Sequence, residues 1–344
     1  MGITIRDIAK FAGVSISTVS LVLSGRGYVS DATRAKVQKI IDEYNYRPLR
    51  SAQQLASNHT GNIGFIISDV HLSRSEAFYS RILLGAELEA RNYDTYLLLS
   101  TVGADLEVPR HIPRFLKGRD VDGIIVAGSI HEDLIRYIRK VNLPQVLIDF
   151  SLSDLRVDSV FMDNRSGVYQ AVEHLVNQGM KRIGFIGGSF YHPSIRERFQ
   201  SYQASMDEFG LGDSARDKAF YYMIDDEATP EVGVAGTSSV LESVPDIQAI
   251  ICVNDTIALG CLQELDKQNK RIPDEIAVIG FDDVNYAAVT HPPLSTVHVP
   301  KIEMGMEAVR LLMDRIKNSE RLYQTRLIPV ELVVRESSQK NSSP

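Results

Sequence analysis

Apolar residues recur at helical spacing through the first fifty positions. Beyond residue 62 they gather into short unbroken runs separated by amphipathic stretches. Ile5, Ile8, Ala9 and Ala12 form one stripe, which predicts a helix opening at Thr4 with Asp7 as the acidic partner of a capping box. Gly13 supplies the left-handed residue that ends this helix, and Ser15 caps a second one that buries Val19 and Val22. Ile16, Ser17 and Leu21 are left facing outward. Ser30 caps a third helix running to about Tyr44, with Asp31 in its first turn and Val37, Ile40, Ile41 and Tyr44 on its buried face. Pro48 breaks the pattern, and residues 49–57 form a helix-compatible piece with too little apolar surface to be stable alone.

Small Ala9, then Gly13 at the turn, then buried Val19 is the spacing of a helix-turn-helix, whose second helix enters the DNA major groove. Downstream, the apolar runs predict strands over 63–68, 95–99, 123–127, 145–148, 182–186, 219–223, 249–253 and 277–281. Between them, helices are expected near 76–92, 109–117, 132–141, 165–178, 195–209, 231–242 and 256–268. Near-continuous apolar strands alternating with helices mean parallel sheets covered on both faces. Two such series predict an α/β core of two doubly wound subdomains behind a three-helix headpiece and a hinge helix. Ligands of such sheets bind beyond the carboxyl ends of the strands, so a cleft between the subdomains is the expected site.

At 344 residues the chain has room for two or three domains, and 44% apolar with 24% charged residues describes an ordinary globular composition. The formal charge of −7 hides a split: residues 1–60 carry +4 and the remainder −11. A basic head on an acidic body fits phosphate contact by the head alone. No run approaches the length of a membrane span and no signal core opens the chain, so a cytoplasmic, nucleoid-associated location is expected. Cys252 and Cys261 read as buried free thiols, and the eight histidines form no metal-binding pair on a helix. A P-loop, a complete dinucleotide fingerprint and a nucleophile elbow are all missing, so neither catalysis nor a cofactor or metal is expected.

Several segments closely resemble the LacI/GalR family of bacterial transcriptional regulators. They are Thr4-Ile-Arg-Asp-Ile-Ala with Ala-Gly-Val-Ser and Thr-Val-Ser, then Asn45-Tyr-Arg-Pro48 and Ala52-Gln-Gln-Leu-Ala56. Val121-Asp-Gly-Ile-Ile125, Val278-Ile-Gly-Phe-Asp282 and Pro292-Pro-Leu-Ser-Thr-Val297 extend the likeness along nearly the whole chain. The resemblance implies a repressor that binds a pseudo-palindromic operator as a homodimer and answers to a small polar effector, sugar-like rather than purine. It also implies a core resembling a periplasmic sugar-binding protein. The divisions it implies are a headpiece over 1–47, a hinge over 48–60, a core over 61–340 and a tail over 341–344. Three crossings would split the core into 61–162 with 291–323, and 163–290 with 324–340.

Mapped residue by residue, the family's base readers fall on Ile16, Ser17 and Leu21. The first and third are apolar here, suiting thymine methyls rather than bidentate hydrogen bonds. Ser15, Thr18, Ser20, Ser30, Thr33, Arg34 and Tyr46 are candidate phosphate contacts. Leu55, followed by Ala56, matches the hinge leucine that wedges the minor groove. The effector set implied is Phe78 and Tyr79 as stacking aromatics, Asp149 with Phe150, His192, Ser194, Arg198, the pair Asn254 and Asp255, and Asp282. The loop over 70–77 is longer than the family's usual turn. Two other readings are a sugar-binding module whose helices contact protein, and a carbohydrate-processing enzyme with a closing cleft.

Overall fold

The computed structural model describes residues 3–25, 27–46, 59–73, 78–103, 112–152, 154–224 and 228–339. Contacts divide the chain into two compact units, Met1–Thr60 and Gly61–Pro344.

The first unit holds α1 (Ile5–Ala12), α2 (Ile16–Ser24) and α3 (Asp31–Glu43). The Thr4 amide donates to Asp7 Oδ2 at 2.9 Å, closing the start of α1. Gly13 ends that helix at φ 61°, a conformation costly for any residue with a Cβ. Ser15 Oγ accepts from the Thr18 amide at 3.1 Å and Ser30 Oγ from the Thr33 amide at 3.3 Å. Ile8, Ala9, Ala12, Val19, Val22, Val37 and Ile41 make up its buried core. So small a core leaves these caps, about 1 kcal/mol each, a large share of the stability. Tyr44 departs from expectation: it is exposed and stacks on exposed Phe11, ring centroids 4.9 Å apart. The expected hinge helix, including Leu55 and Ala56, lies outside the described residues.

The second unit is built on two six-stranded sheets. β1 (Asn62–Ser68), β2 (Tyr96–Val102), β3 (Gly123–Ala127), β4 (Gln145–Ile148), β5 (Asp158–Met162) and β11 (Thr325–Ile328) form the first, in the order β11-β5-β4-β3-β1-β2. Every pairing in it is parallel. The second is ordered β12-β10-β9-β8-β6-β7. Its strands are β6 (Ile183–Gly187), β7 (Tyr221–Met223), β8 (Ala249–Cys252), β9 (Ala277–Asp282), β10 (Ser295–His298) and β12 (Glu331–Val333), only β12 being antiparallel to its neighbour. Central strands are buried residue after residue, as sheets covered on both faces require.

Helices cover both sheets: α4 (Asp69–Ser73), α5 (Phe78–Asn92), α6 (Arg114–Gly118), α7 (Glu132–Lys140), α8 (Asn164–Asn177), α9 (Pro193–Glu208), α10 (Gly212–Arg216), α11 (Pro230–Ser243), α12 (Asp255–Lys267) and α13 (Lys301–Lys317). Local departures from the sequence expectation are small. The stretch read as a loop over 70–77 opens with the helical turn α4, and β2 runs on to Val102. Residues 218–220 wind as a 3-10 turn before the short β7.

The crossings differ more. β10 pairs with β9 in the second sheet, and β11 with β5 in the first. The chain therefore crosses for the second and third times at 299–300 and 329–330, not at 290/291 and 323/324. Strand pairing, invisible in a single apolar run, sets those points.

In each half one helix pair touches backbone to backbone. A Cβ on Gly85 of α5 would stand 2.0 Å from the Ile302 carbonyl oxygen of α13, and one on Gly305 of α13 would stand 2.0 Å from that of Ile82. In the second half, a Cβ on Gly233 of α11 would stand 2.2 Å from the Ile257 carbonyl oxygen, and one on Gly260 of α12 would stand 1.9 Å from that of Pro230. Such reciprocal contact makes each half a stiff plate. Gly305→Val should cost roughly 1–3 kcal/mol or more in urea denaturation, because backbone cannot step aside as a side chain would. A stability within experimental error of the parent would show that the helices separate freely.

Candidate functional sites

In the first unit α2 presents Ile16, Ser17, Ser20 and Leu21 to solvent, Ile16 at 45% and Leu21 at 37% exposure. The nine residues of α2 include no charged side chain. Ser15 and Thr18 share a hydroxyl contact of 2.8 Å at its start, as do Ser30 and Thr33 at the start of α3. Arg34, Thr33 and Tyr46 are half-buried. This is an apolar, hydroxyl-bearing helix face beside capped helix N-termini, suited to methyl groups on one side and phosphates on the other.

In the second unit the chemistry gathers where the carboxyl ends of the two sheets meet. Asp149 follows β4 with φ 58° and is buried. Tyr79 donates its hydroxyl to Asp149 Oδ2 at 3.0 Å. From the other half, Ser194 donates to Asp149 Oδ1, and His192 Nε2 stands 3.6 Å from Oδ2. The carboxylate is thus a latch between halves. Burial first and the Asp149 charge second push the Tyr79 phenol well above its ordinary range, so it stays a donor.

Arg198, buried on α9, makes a second bridge. Its Nε donates to Asn164 Oδ1 at 2.7 Å, one terminal nitrogen to the Val253 carbonyl at 2.7 Å, and the other to Asp282 Oδ1 at 3.3 Å. The guanidinium lies 3.7 Å over the Phe281 ring and 3.4 Å from Met162 Sδ of the first half. Asn164 is oriented in turn by donating to Glu197 at 2.7 Å.

A cavity of about 630 Å³ opens beside the latch, lined among others by Ser68, His71, Ser129, His131, Phe150 and Tyr191. Of the residues expected for the effector, only Phe150 lines it. Tyr79, Asp149, His192 and Ser194 form the adjoining latch, while Arg198 and Asp282 lie in the second bridge. Phe78 packs edge-on against Tyr79, centroids 5.0 Å apart, inside the wall. Gly128 (φ 75°) lets the His71 and Tyr79 rings close over it, a Cβ there meeting them at 2.7 and 2.9 Å.

Asn254 and Asp255 serve the framework instead. Asn254 Oδ1 caps α12 by accepting from the Ile257 amide at 2.9 Å. Asp255 accepts from Thr296 Oγ1 at 2.5 Å and from the Val284 amide at 2.8 Å, against the Gly280 backbone. Ser68, His71, Ser129, His131 and Tyr191 were missed by the sequence reading. Position at a strand's carboxyl end would have found Ser68 and Ser129, whereas nothing local marks the others. Both cysteines are buried and free. Among the described residues no cluster could hold a metal ion, and no helix is long and apolar enough to cross a membrane.

Comparison with known proteins agrees with this geometry. Residues 4–49 match the model for bacterial regulatory proteins of the lacI family, and residues 172–338 match the periplasmic binding protein-like domain. The chain is 31% identical over 334 residues to the ribose operon repressor of Haemophilus influenzae, covering 97% of this chain and 98% of that one. The chain belongs to the lacI family. It is also 31% identical over 339 residues to the transcriptional repressor PurR of Vibrio vulnificus, covering 98% and 99%. Its fold superposes on the Lac repressor dimer bound to operator and the anti-inducer ONPF with TM-score 0.79 at 25% identity, over 99% of this chain and all of that one. As a lacI-family regulator it is a DNA-binding repressor controlled by a small-molecule effector, and it is not an enzyme.

The buried acid Asp255 gives the framework around the site a pH signature. Burial first, then the charge of Asp282, push its carboxyl from 3.8 up to about 8. Between those values the folded chain holds a proton that the unfolded chain releases, so this contribution to stability is full at low pH and lost as pH rises toward 8. Asp255→Asn, neutral throughout, removes the effect. The stability advantage of the parent over this variant should therefore shrink from pH 5 to pH 8 in urea titrations. A difference constant across that range would refute the assignment.

Proposed function

We propose that the repressor works as a homodimer on a pseudo-palindromic operator and that its effector is a sugar or sugar derivative bound in the cleft at Asp149. The latch carries this reading: a carboxylate of the first half is held by the Ser194 hydroxyl of the second, with the His192 imidazole 3.6 Å away. A polyhydroxylated ligand offers the same hydroxyl donors as Ser194, and the aromatic rings of Phe150 and Tyr191 suit the apolar faces of a pyranose or furanose. Exchange of Ser194 for a ligand hydroxyl changes what ties the halves together. The ligand then shifts the protein only by its differential affinity for the two arrangements.

On the DNA side, Ile16, Ser17 and Leu21 are the proposed base readers and Leu55 the minor-groove wedge. Ser15, Thr18, Ser20, Ser30, Thr33, Arg34 and Tyr46 are the proposed phosphate contacts. The dimer reading is supported by an uncovered apolar face. Leu84 and Leu88 lie one turn apart on α5 at 42% and 40% exposure, and Tyr96 and Leu99 on the edge strand β2 at 57% and 45%. The Lac repressor structure, a dimer on operator, supports the same arrangement.

Selection of sites from randomised duplex DNA by the full chain, with and without a pool of pentoses, hexoses and disaccharides, tests the whole. A pseudo-palindrome should emerge, and one sugar should change its enrichment. Asp149→Asn should weaken that sugar at least about tenfold, the scale of a charge-assisted hydrogen bond. A response to purine bases and to no sugar would overturn the effector class, and enrichment of unpaired half-sites would overturn the dimer. Leu84→Glu with Leu88→Glu should yield a monomer in sedimentation with sharply reduced operator affinity.

A further inference from the structure

A second cavity, of about 500 Å³, lies where the chain makes its second crossing between halves. It shares no lining residue with the cleft beside Asp149. The first half contributes Arg81 of α5 and the opening turn of α13, and the second contributes the turn after β9 and the end of β10. Its walls are largely apolar: Val284, Val299, Pro300 and Ile302.

Its charges are unevenly balanced. Asp283 is taken up by Arg335 at 2.7 Å and by His298 at 2.8 Å, which together hold its carboxyl below its ordinary range in spite of burial. Glu303 is paired with Arg310 at 2.7 Å. Lys301 donates to the carbonyl oxygens of Asp282, Asp283 and Val299, partners that satisfy its hydrogens without cancelling its charge. Burial is the main cause holding the Lys301 ammonium below its usual range, and the nearby Arg81 charge adds to that effect against the surrounding aspartates. Among the described residues Arg81 has no carboxylate partner, and it lines the cavity.

We propose that this cavity is a second ligand site, taking a small organic anion whose phosphate or carboxylate pairs with Arg81 and whose ring or chain lies on Val284, Val299, Pro300 and Ile302. A planar guanidinium offers two parallel donors to such a head group, and an anion between Arg81 and Lys301 relieves their mutual repulsion. The opening turn of α13 adds the positive end of a 17-residue helix. An occupant would rest on both halves across residues 299–300. It would set how readily they rearrange, and so tune the response to the cleft ligand without entering the cleft. The site does not depend on what that ligand is.

Phenyl phosphate and benzoate are suitable probes, with inorganic phosphate and phenol as head-only and body-only controls. The full chain is titrated at constant ionic strength and followed by thermal unfolding and calorimetry. At least one of the two probes should stabilise the protein saturably at millimolar concentration and more strongly than either control, and the better of the two identifies the head group. Arg81→Gln, at an exposed position, should weaken that binding at least about tenfold, the scale of one lost bidentate pair. Tyr191→Ala, in the cleft, should leave it unchanged. Absence of saturable binding by both probes, or binding lost in Tyr191→Ala and retained in Arg81→Gln, overturns the proposal.

Discussion

One buried guanidinium, that of Arg198, gathers the strand ends of the second half and reaches across to the first at Met162. Arg198 reaches Met162 at the end of β5, Asn164 just past the first crossing, Val253 beyond β8 and Asp282 at the end of β9. A buried charge is tolerated only when its hydrogen-bonding capacity is met, so each of these groups is fixed in place by the others. The stack on Phe281 fills the face of the guanidinium that carries no donors. Any rearrangement of the halves must either carry this set along intact or replace its members one for one, and the latch at Asp149 must answer to the same geometry.

Much of this was legible in the sequence. Thr4, Ser15 and Ser30 announced the helix starts, because a hydroxyl before an apolar stripe has few better uses than capping. The apolar runs announced their strands, since a strand buried on both faces leaves no room for polar alternation. The second and third crossings were not legible. β10 and β11 are each four residues long, and which sheet a short strand joins is a matter of long-range pairing. Asn254 and Asp255 were misleading for a related reason. A polar pair at a strand end looks the same whether it faces a ligand or the neighbouring loop, and here capping and the Thr296 hydroxyl claim it. Lys301 gave no signal, because its partners are backbone carbonyls.

Stiffness within each half and looseness between them come from different contacts. The glycine-to-carbonyl approaches of α5 with α13 and of α11 with α12 involve backbone on both sides, so there is nothing to repack. Between the halves the polar contacts include side-chain hydroxyls, an imidazole, a thioether, the Arg198 guanidinium and the Lys301 ammonium, all of which can exchange partners. Rearrangement is therefore expected at the three connections and at the polar groups between the halves, and the second cavity lies at one of those connections.

The second headpiece helix, α2, has no charged side chain, and this affects how target sites would compete for it. Counterion release belongs to the phosphate contacts made by the rest of the headpiece and is common to every duplex. With the base readers proposed above, preference for one sequence over another rests on methyl contacts, hydroxyls and duplex shape, which ions screen weakly. A change in ionic strength would then raise or lower occupancy across all sites together while preserving their rank order.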